Sequence, residues 1–125
     1  RDVWIGDTDA EARDTALNGI LGRTYRDYLL PLFKTGPTPL VDSMKQDPNM
    51  SNDNVTPEYL VDNVWIVGSP KTVTEKLMNI YTASGGFGTL LAMVVDHWQN
   101  NDAWKKSMRK LSTEVIPKIT ASTEN

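Results

Sequence analysis

The sequence predicts an α/β fold with parallel strands that forms one part of a larger sheet or barrel. Short apolar runs begin near Val3, Val64 and Thr89, and a helical pattern follows each of them. The runs are apolar on both faces, which is typical of parallel strands that are covered on both sides. Three such strands leave the first and the third as open edges, which further chain must cover.

The first unit begins with the short strand Val3-Trp4-Ile5, which ends at Gly6-Asp7. Thr8 and Glu11 have the spacing of a capping box, so a helix is predicted to start here. Its apolar residues recur on or near one face, and we expect it to end near Pro31. These residues are Ala12, Ala16, Leu17, Ile20, Leu21, Tyr25, Tyr28 and Leu29.

Residues 35–54 interrupt this pattern. They contain three prolines and three asparagines, and the apolar periodicity is lost. A long loop is therefore predicted, with one short helical turn at 41–45. Loops of this length are uncommon inside compact domains, and they usually serve as functional lids or are disordered.

The second unit is the most informative part of the chain. A short helix is predicted from Thr56, followed by a buried β-branched strand at 64–67. Ser69 can cap the next helix, and Pro70 suits its first turn, where a missing N–H costs nothing. Gly85 is expected to end that helix. Its buried face is predicted to consist of Val73, Leu77, Ile80 and Tyr81.

The third unit begins with a second buried strand at 89–95, which ends at Asp96-His97-Trp98. Because a helix joins it to the strand at 64–67, the two are expected to pair in parallel with a right-handed crossover. Ligands of such folds bind where strands end and helices begin. We therefore expect Gly68-Ser69-Pro70 and His97 to lie on the same rim.

A last helix is predicted after the cap residues Asn100-Asn101-Asp102, and Pro117 is expected to end it. Its lysines are interpreted as a solvated face. Its apolar face is predicted to consist of Trp104, Met108, Leu111 and Val115.

Composition excludes several classes of function. The 125 residues suffice for one domain, and a net charge of −3 without a basic stripe argues against nucleic-acid partners. The absence of cysteine excludes disulfides and thiolate metal sites, and a single histidine excludes a two-histidine metal motif. No apolar run reaches the roughly 18–20 residues that span a bilayer, so no membrane partner is expected. The expected location is cytoplasmic.

Four segments together carry a family resemblance. They are DVWIGDTDAEARDTALNGILGRTYRDYLL, VWIVGSPKTVTEKL, GGFGTLLAMVVDHW and SMRKLSTEVIPKI. In this order and spacing, the chain resembles the C-terminal part of the bacterial luciferase-like flavin monooxygenases, in their limonene-monooxygenase-like branch. The resemblance implies that residues 1–125 are the C-terminal portion of a (β/α)8 TIM barrel, about three β/α units, holding its sixth to eighth strands. It also implies that residues 35–54 form a mobile lid over the active site.

The resemblance implies an oxidoreductase fragment. The parent would oxygenate a small hydrophobic molecule with O2 and reduced FMN supplied by a flavin reductase, or else transfer hydride with a deazaflavin. Most flavin contacts would lie in the missing N-terminal part, so this portion alone is expected to be inactive, and FMN is expected in the parent rather than here. A different class of function also fits: a partial-barrel structural or binding module that closes its sheet by self-association.

Five residues are candidates for lining the flavin or substrate: Asp7, Gly68, Ser69, Pro70 and His97. Their side chains or backbone N–H groups end predicted strands on the predicted catalytic rim. For Asp7 and Gly68-Ser69-Pro70 the alternative interpretation is a helix cap and turn. No residue is assigned as the primary catalytic group.

His97 is the only side chain that titrates near neutral pH, so it could orient a substrate or relay a proton. The alternative is a partly solvated structural histidine. Asp96 could orient it, although adjacent residues of a strand point to opposite faces. The four tryptophans, with Tyr25 and Tyr28, are interpreted as packing residues.

Overall fold

A computed structural model of the chain describes residues 1–37, 39–93 and 95–123. Two short strands, β1 (Val3–Ile5) and β2 (Ile66–Gly68), pair in parallel with Val3 opposite Ile66. The helices are α1 (Asp9–Asn18), α2 (Ile20–Thr24), α3 (Leu30–Phe33), α4 (Pro57–Asn63), α5 (Pro70–Ser84), α6 (Asn101–Lys110) and α7 (Ile116–Thr123). Single 3-10 turns lie at Leu40–Met44, Asn52–Asn54 and Trp98–Asn100, and π-helical turns lie at Tyr25–Leu29 and Leu111–Val115.

The predicted third strand is the main correction. In the described part of residues 89–95, strand pairing is limited to one parallel bridge, between Asp2 and Met93. The Met93 N–H donates to the Arg1 carbonyl at 2.8 Å, so this segment lies beside β1. The order is therefore β2, β1, Met93. The prediction that the first strand is an edge, and that the second and third are neighbours, is wrong.

A buried serine limits this third pairing. The Ile5 N–H of β1 donates to the hydroxyl oxygen of Ser107 at 2.8 Å, and Ser107 is fully buried. A strand alongside β1 would need this N–H for its next ladder hydrogen bond. Helix α6 occupies that position instead, so the pairing ends after Met93.

Strand β2 begins two residues later than predicted, at Ile66 rather than Val64. The N–H groups of Val64 and Trp65 both donate to the Leu60 carbonyl, at 2.8 and 2.7 Å, and so close the end of α4. These hydrogen bonds hold Val64 and Trp65 out of the β-ladder.

The first helical segment is divided rather than continuous. It breaks at Gly19, where an added Cβ would lie 2.3 Å from the Thr15 carbonyl oxygen. The helix then widens into the π-helical turn Tyr25–Leu29 and ends after Phe33, just beyond the predicted end near Pro31. The last helix does not end at Pro117, because it continues to Thr123.

Proline follows both π-helical turns at the same distance. Pro31 and Pro117 each come two residues after the last residue of such a turn, Leu29 and Val115. A proline inside an α-helix loses an N–H and clashes with the carbonyl four residues earlier. A wider turn shifts that carbonyl out of register, and the helix can therefore continue.

The core consists of two clusters on opposite faces of the β1–β2 pair. Trp4, Trp65 and Val67 face the first cluster, with helices α1 to α4. Val3, Ile5 and Ile66 face the second cluster. There they meet residues of α5 and the last helices: Val73, Leu77 and Val115. Val73 and Leu77 are buried and Ile80 packs on the same cluster, which confirms three of the four residues predicted for this face of α5. Tyr81 instead packs edge-on against Phe87, with ring centroids 5.3 Å apart.

The segment at residues 35–54 is attached to the first cluster. Val41 is fully buried in the 3-10 turn Leu40–Met44, which confirms the predicted helical turn. The Gln46 N–H donates to the Tyr59 hydroxyl at 2.6 Å, and Lys45 pairs with Asp42 at 2.7 Å. Thr38 lies outside the described residues. These contacts anchor the middle of the segment, while its role as a lid stays a prediction.

Two residues interpreted as packing are exposed. Tyr28 is 64% exposed and Trp98 is 70% exposed. Trp104 is partly buried against the first cluster, and Tyr25 is buried beside Trp65 with ring centroids 4.9 Å apart. Tyr28 is exposed because the π-helical turn rotates the helix face that the 3.6-residue period predicts.

Candidate functional site

The carboxyl ends of β1 and β2 lie side by side. The Gly6 N–H donates to the Gly68 carbonyl at 3.1 Å, which extends the ladder by one hydrogen bond beyond β1. Asp7 therefore lies on the same rim as Ser69 and Pro70, as the sequence predicted. Ser69 caps α5, because its hydroxyl accepts the Thr72 N–H at 3.4 Å, and Pro70 occupies the first turn.

The rim N–H group that could face an anionic ligand is already bound within the chain. The Ser69 N–H donates to Asp9 Oδ1 at 2.6 Å, and the Thr72 hydroxyl donates to Asp9 Oδ2 at 2.9 Å. These hydrogen bonds, the Ser69 N–H first, lower the pKa of Asp9. Asp9 thus places a carboxylate where a phosphate would bind.

Gly68 is required by this arrangement. Its φ of +155° lies in a region that favours glycine. An added Cβ would lie 2.8 Å from Thr72 Cγ2 and 2.9 Å from Asp9 Oδ1. Gly68 is therefore packed closely against Asp9 and Thr72 in the direction that a side chain would take.

Asp7 connects the end of β1 to helix α6. Its carboxylate accepts hydrogen bonds from Lys106 Nζ at 2.6 Å and Lys110 Nζ at 2.9 Å, and both lower its pKa. The Asp7 N–H donates to Glu11 Oε2 at 2.8 Å. Interpreting these lysines as a purely solvated face is wrong, because Lys110 is only 16% exposed and Asp7 raises its pKa.

His97 lies apart from that corner, in a cavity of about 100 Å³. Its ring stacks on Trp4, with centroids 4.9 Å apart and planes inclined by 41°. Burial lowers the pKa of His97, and the nearby charge of Asp96 opposes this shift. Within the described residues, its ring nitrogens form no hydrogen bond. The cavity is lined by Thr15, Gly19, Ile20, Arg23, Asp96, His97, Trp98, Gln99 and Asn100.

Asp96 does not orient the imidazole. Its Oδ1 accepts the Trp98 N–H at 3.0 Å and so starts the 3-10 turn Trp98–Asn100. The structure thus brings Asp7, Gly68, Ser69 and Pro70 together at the strand ends. It places His97 away from them, in the cavity described above. His97 is a neutral imidazole at pH 7 that can donate to or accept from a ligand.

Sequence reasoning missed a polar cavity of about 220 Å³ beside the corner. In it Arg13 forms a two-pronged ion pair with Asp62, at 3.0 and 3.1 Å. Asp9 and Arg13, like Thr72 and Lys76, are four residues apart near the start of a helix. That spacing places each pair on one helix face, and it is the sequence pattern from which this cavity could have been predicted. The cavity is lined by Asp9, Arg13, Val61, Asp62, Val67, Thr72 and Lys76.

The described cavities that contain His97 are small for a flavin. They measure about 100 and 200 Å³, whereas cofactor pockets span roughly 300–1,000 Å³. Across residues 1–37, 39–93 and 95–123, no cluster of three or more acidic or histidine side chains could hold a metal ion. Within the same ranges, the helices are too short or too polar to cross a bilayer.

Comparison with curated proteins reveals similarity along nearly the whole chain. The 3,6-diketocamphane 1,6-monooxygenase of Pseudomonas putida is 37% identical over 94% of this chain. The 2,5-diketocamphane 1,2-monooxygenases 1 and 2 of the same organism are 34% and 33% identical, over 95% and 98% of it. The chain is thus similar, along nearly its whole length, to one part of these diketocamphane monooxygenases. No protein-family model matches it.

A solved structure supports the same relationship. It is a type II Baeyer-Villiger monooxygenase, the oxygenating constituent of 3,6-diketocamphane monooxygenase from Pseudomonas putida, in complex with FMN. It superimposes with a TM-score of 0.87 at 36% identity and covers 95% of this chain. The chain spans only about a third of its relatives' length, 30% to 34% of the curated proteins. The limonene-monooxygenase-like assignment stays a prediction.

Proposed function

We propose that this chain is the C-terminal portion of a luciferase-like flavin monooxygenase with a (β/α)8 barrel. The whole protein would oxygenate a small hydrophobic molecule with O2 and reduced FMN, which a flavin reductase would supply. The observation that carries the proposal is the superposition on an FMN-bound monooxygenase over 95% of this chain. The flavin of that neighbour favours FMN over a deazaflavin.

In this proposal the described residues supply scaffold and rim, and most flavin contacts lie in the part of the fold that this chain does not match. The Ser69 N–H already donates to Asp9, and within this chain the cavities lined by His97 measure about 100 and 200 Å³, below the roughly 300–1,000 Å³ of cofactor pockets. The chain's own role would be to hold His97 as a neutral hydrogen-bonding group near the substrate. We expect the isolated chain to be inactive, because catalysis requires cofactor and substrate held against each other.

A chimera tests this function. The matched third of the 3,6-diketocamphane 1,6-monooxygenase would be replaced by this chain, and the isolated chain would be assayed beside it. We expect the chimera to bind FMN by fluorescence quenching and to add one oxygen atom to 3,6-diketocamphane when supplied with reduced FMN and O2.

The isolated chain should do neither. A chimera with His97→Phe tests the role of the imidazole, since it keeps an aromatic ring against Trp4. A chimera that folds cooperatively by circular dichroism yet neither binds FMN nor oxygenates would refute the proposed function. Turnover by the isolated chain would refute the fragment interpretation.

A further inference from the structure

A second polar group without a partner lies beside His97. The indole N–H of Trp104 is buried, and no acceptor reaches it from the residues that the structure describes. Trp104 and His97 line the same cavity of about 200 Å³, together with Val95, Asp96 and Asn101. A buried donor without an acceptor is unfavourable, and such a group in a folded protein often marks the place of a bound molecule.

Independent contacts hold the two groups in place. His97 stacks on Trp4, with ring centroids 4.9 Å apart. Trp104 belongs to α6, which Ser107 fastens to β1 by accepting the Ile5 N–H. Trp104 and Ser107 are three residues apart and therefore lie on one face of that helix. A ligand would thus meet groups that are already ordered, which lowers the entropic cost of binding.

The charges around this cavity favour a neutral ligand. Among the described residues that line it, Asp96 carries the charge, so an anion would be repelled. A cation offers no acceptor and would leave the Trp104 N–H unpaired. His97 is neutral at pH 7, because burial lowers its pKa, and it can donate one N–H. A neutral oxygen atom such as that of a carbonyl group has two lone pairs and can accept from both side chains.

The size of the cavity suits a small ring. Its volume of about 200 Å³ exceeds the roughly 150 Å³ that suffices for benzene in another protein. Val95 and the carbon atoms of two aromatic rings form the apolar part of its wall. A six-membered ring that bears one oxygen therefore matches this cavity in both size and polarity.

We propose that Trp104 and His97 form a binding site for a neutral oxygen acceptor on a small hydrophobic molecule. Trp104 is a binding residue of this site and donates its indole N–H to that oxygen. The identity of the occupant as the substrate rests on the proposed function, whereas the site itself rests on the cavity and on the unpaired donor. The indole N–H of Trp65 is also buried but does not line this cavity, so it serves as an internal comparison.

Nuclear magnetic resonance of the tryptophan side chains tests the site in this 125-residue chain. The probe is cyclohexanone, and Trp104→Phe assigns the Trp104 indole signal by its disappearance. We expect cyclohexanone to move that signal downfield, because the N–H gains an acceptor, while the Trp65 signal stays in place. Cyclohexanecarboxylate and the cyclohexylammonium ion carry the same ring with a charge, and they should move neither signal.

Loss of either donor should weaken binding. Trp104→Phe and His97→Phe each keep an aromatic ring, and each should raise the Kd for cyclohexanone about tenfold, read from whichever of the two signals remains. Tyr28→Phe is the matched control, because it also removes a donor from an aromatic ring, but Tyr28 is 64% exposed and lies outside the cavity. It should leave the Kd unchanged. In the chimera, Trp104→Phe should raise KM for 3,6-diketocamphane more than it lowers kcat.

Three results would overturn the inference: a Trp104 signal that ignores cyclohexanone, an equal response to cyclohexanecarboxylate, or a Kd that Trp104→Phe leaves unchanged. A Trp104 signal that is already downfield in the chimera and ignores the probe would also overturn it, since a protein group would then occupy the cavity. A chimera that fails to oxygenate, while this chain still binds cyclohexanone, would count against the proposed function and leave the site standing.

Discussion

At the scale of single residues, two aspartates two positions apart organise the rim in different ways. Asp9 binds the first turn of α5, whereas Asp7 binds two lysines of α6. Each carboxylate joins a strand end to a helix distant in sequence, and this is why the rim is well defined and also why it is closed to an anion. Among the described residues of this part of the molecule, the His97 ring and the buried indole N–H of Trp104, which line one cavity, have hydrogen-bonding capacity left over.

Replacing Asp9 should weaken the attachment of α5. Asp9→Ala removes the acceptor of the Ser69 N–H and of the Thr72 hydroxyl, and we expect a loss of about 0.5–1 kcal/mol in the free energy of unfolding. The value is that of an exposed cap, which solvent screens. Urea denaturation measures it. Asp53→Ala is the control, because the Asp53 carboxylate has no partner among the described residues, and an equal loss there would contradict the prediction.

The contribution of Asp9 should depend on pH. Its folded pKa lies below the ordinary 3.8, so the stabilisation is complete above that value and disappears as the pH falls through the folded pKa. The difference in unfolding free energy between wild type and Asp9→Ala should therefore shrink as the pH falls below 3.8. A free-energy difference that grows on acidification would contradict the lowered pKa of Asp9.

His97 should titrate below its ordinary pKa of 6.5, because burial disfavours the imidazolium. The unfolded chain then takes up the proton first, so acidification through 6.5 should destabilise the fold until the folded pKa is passed. As the chain has one histidine, its ring proton resonance gives the pKa directly by NMR. Asp96→Asn should lower it further, and a pKa at or above 6.5 would contradict the burial argument.

At the scale of elements, the extent of the sheet is set by helix side chains that prevent further strand pairing. Lys76 closes the outer carbonyls of β2, and Ser107 takes the Ile5 N–H of β1. Both residues lie on helices, so helix packing sets how far each strand extends. The two π-helical turns in turn set how far the helices extend, since each lets its helix continue beyond a proline.

Opening the β2 edge should promote self-association. Lys76→Met leaves the Trp65 and Val67 carbonyls without their donor, and we expect a loss of about 1 kcal/mol together with a mass that rises with concentration. Lys71→Met is the control on the same helix, since the Lys71 side chain is 85% exposed and, among residues 1–37, 39–93 and 95–123, pairs with Glu75 alone, at 4.0 Å. Analytical ultracentrifugation of both variants measures the molecular mass at several concentrations. A monomeric Lys76→Met protein would show that this lysine does not prevent strand pairing at the β2 edge.

At the scale of the whole molecule, the strand pair joins two cores. Trp4 of β1 faces the cluster under α1 to α4, while Val3 and Ile5 face the cluster under α5 to α7. Since one three-residue strand belongs to both, neither cluster can lose its strand without exposing the other. The molecule should therefore unfold as one cooperative unit.

A cavity created in the second cluster should also lower the unfolding midpoint of the first cluster. Val73 is fully buried in the second cluster, and Val73→Ala should cost about 1–3 kcal/mol. Tryptophan fluorescence reports mainly the first cluster, where three of the four tryptophans pack (Trp4, Trp65 and Trp104), and far-UV circular dichroism reports all helices. We expect both midpoints to fall equally, whereas a shift seen by circular dichroism alone would mean that the clusters unfold separately.

Local patterns in the sequence determined the helix caps and the buried faces. The Thr8 and Ser69 caps form as predicted, because a cap depends on residues within one turn, and Thr56 caps the helix that was predicted to start there. The cap predicted at the start of α6 is different, because the Asn100 side chain forms no cap hydrogen bond. The 3.6-residue period placed Val73 and Leu77 inside for the same reason. The rim shared by Asp7 and Ser69 also followed, since parallel strands end at one edge.

The tertiary structure alone decided which strands are neighbours and which polar groups remain free. Asp9 and Ser69 are sixty residues apart, and Ile5 and Ser107 are 102 apart. Contacts at such separation depend on how helices pack across the sheet, and no local period encodes them. For that reason the sequence predicted a third strand, where the fold leaves one bridge at Met93 and an open edge.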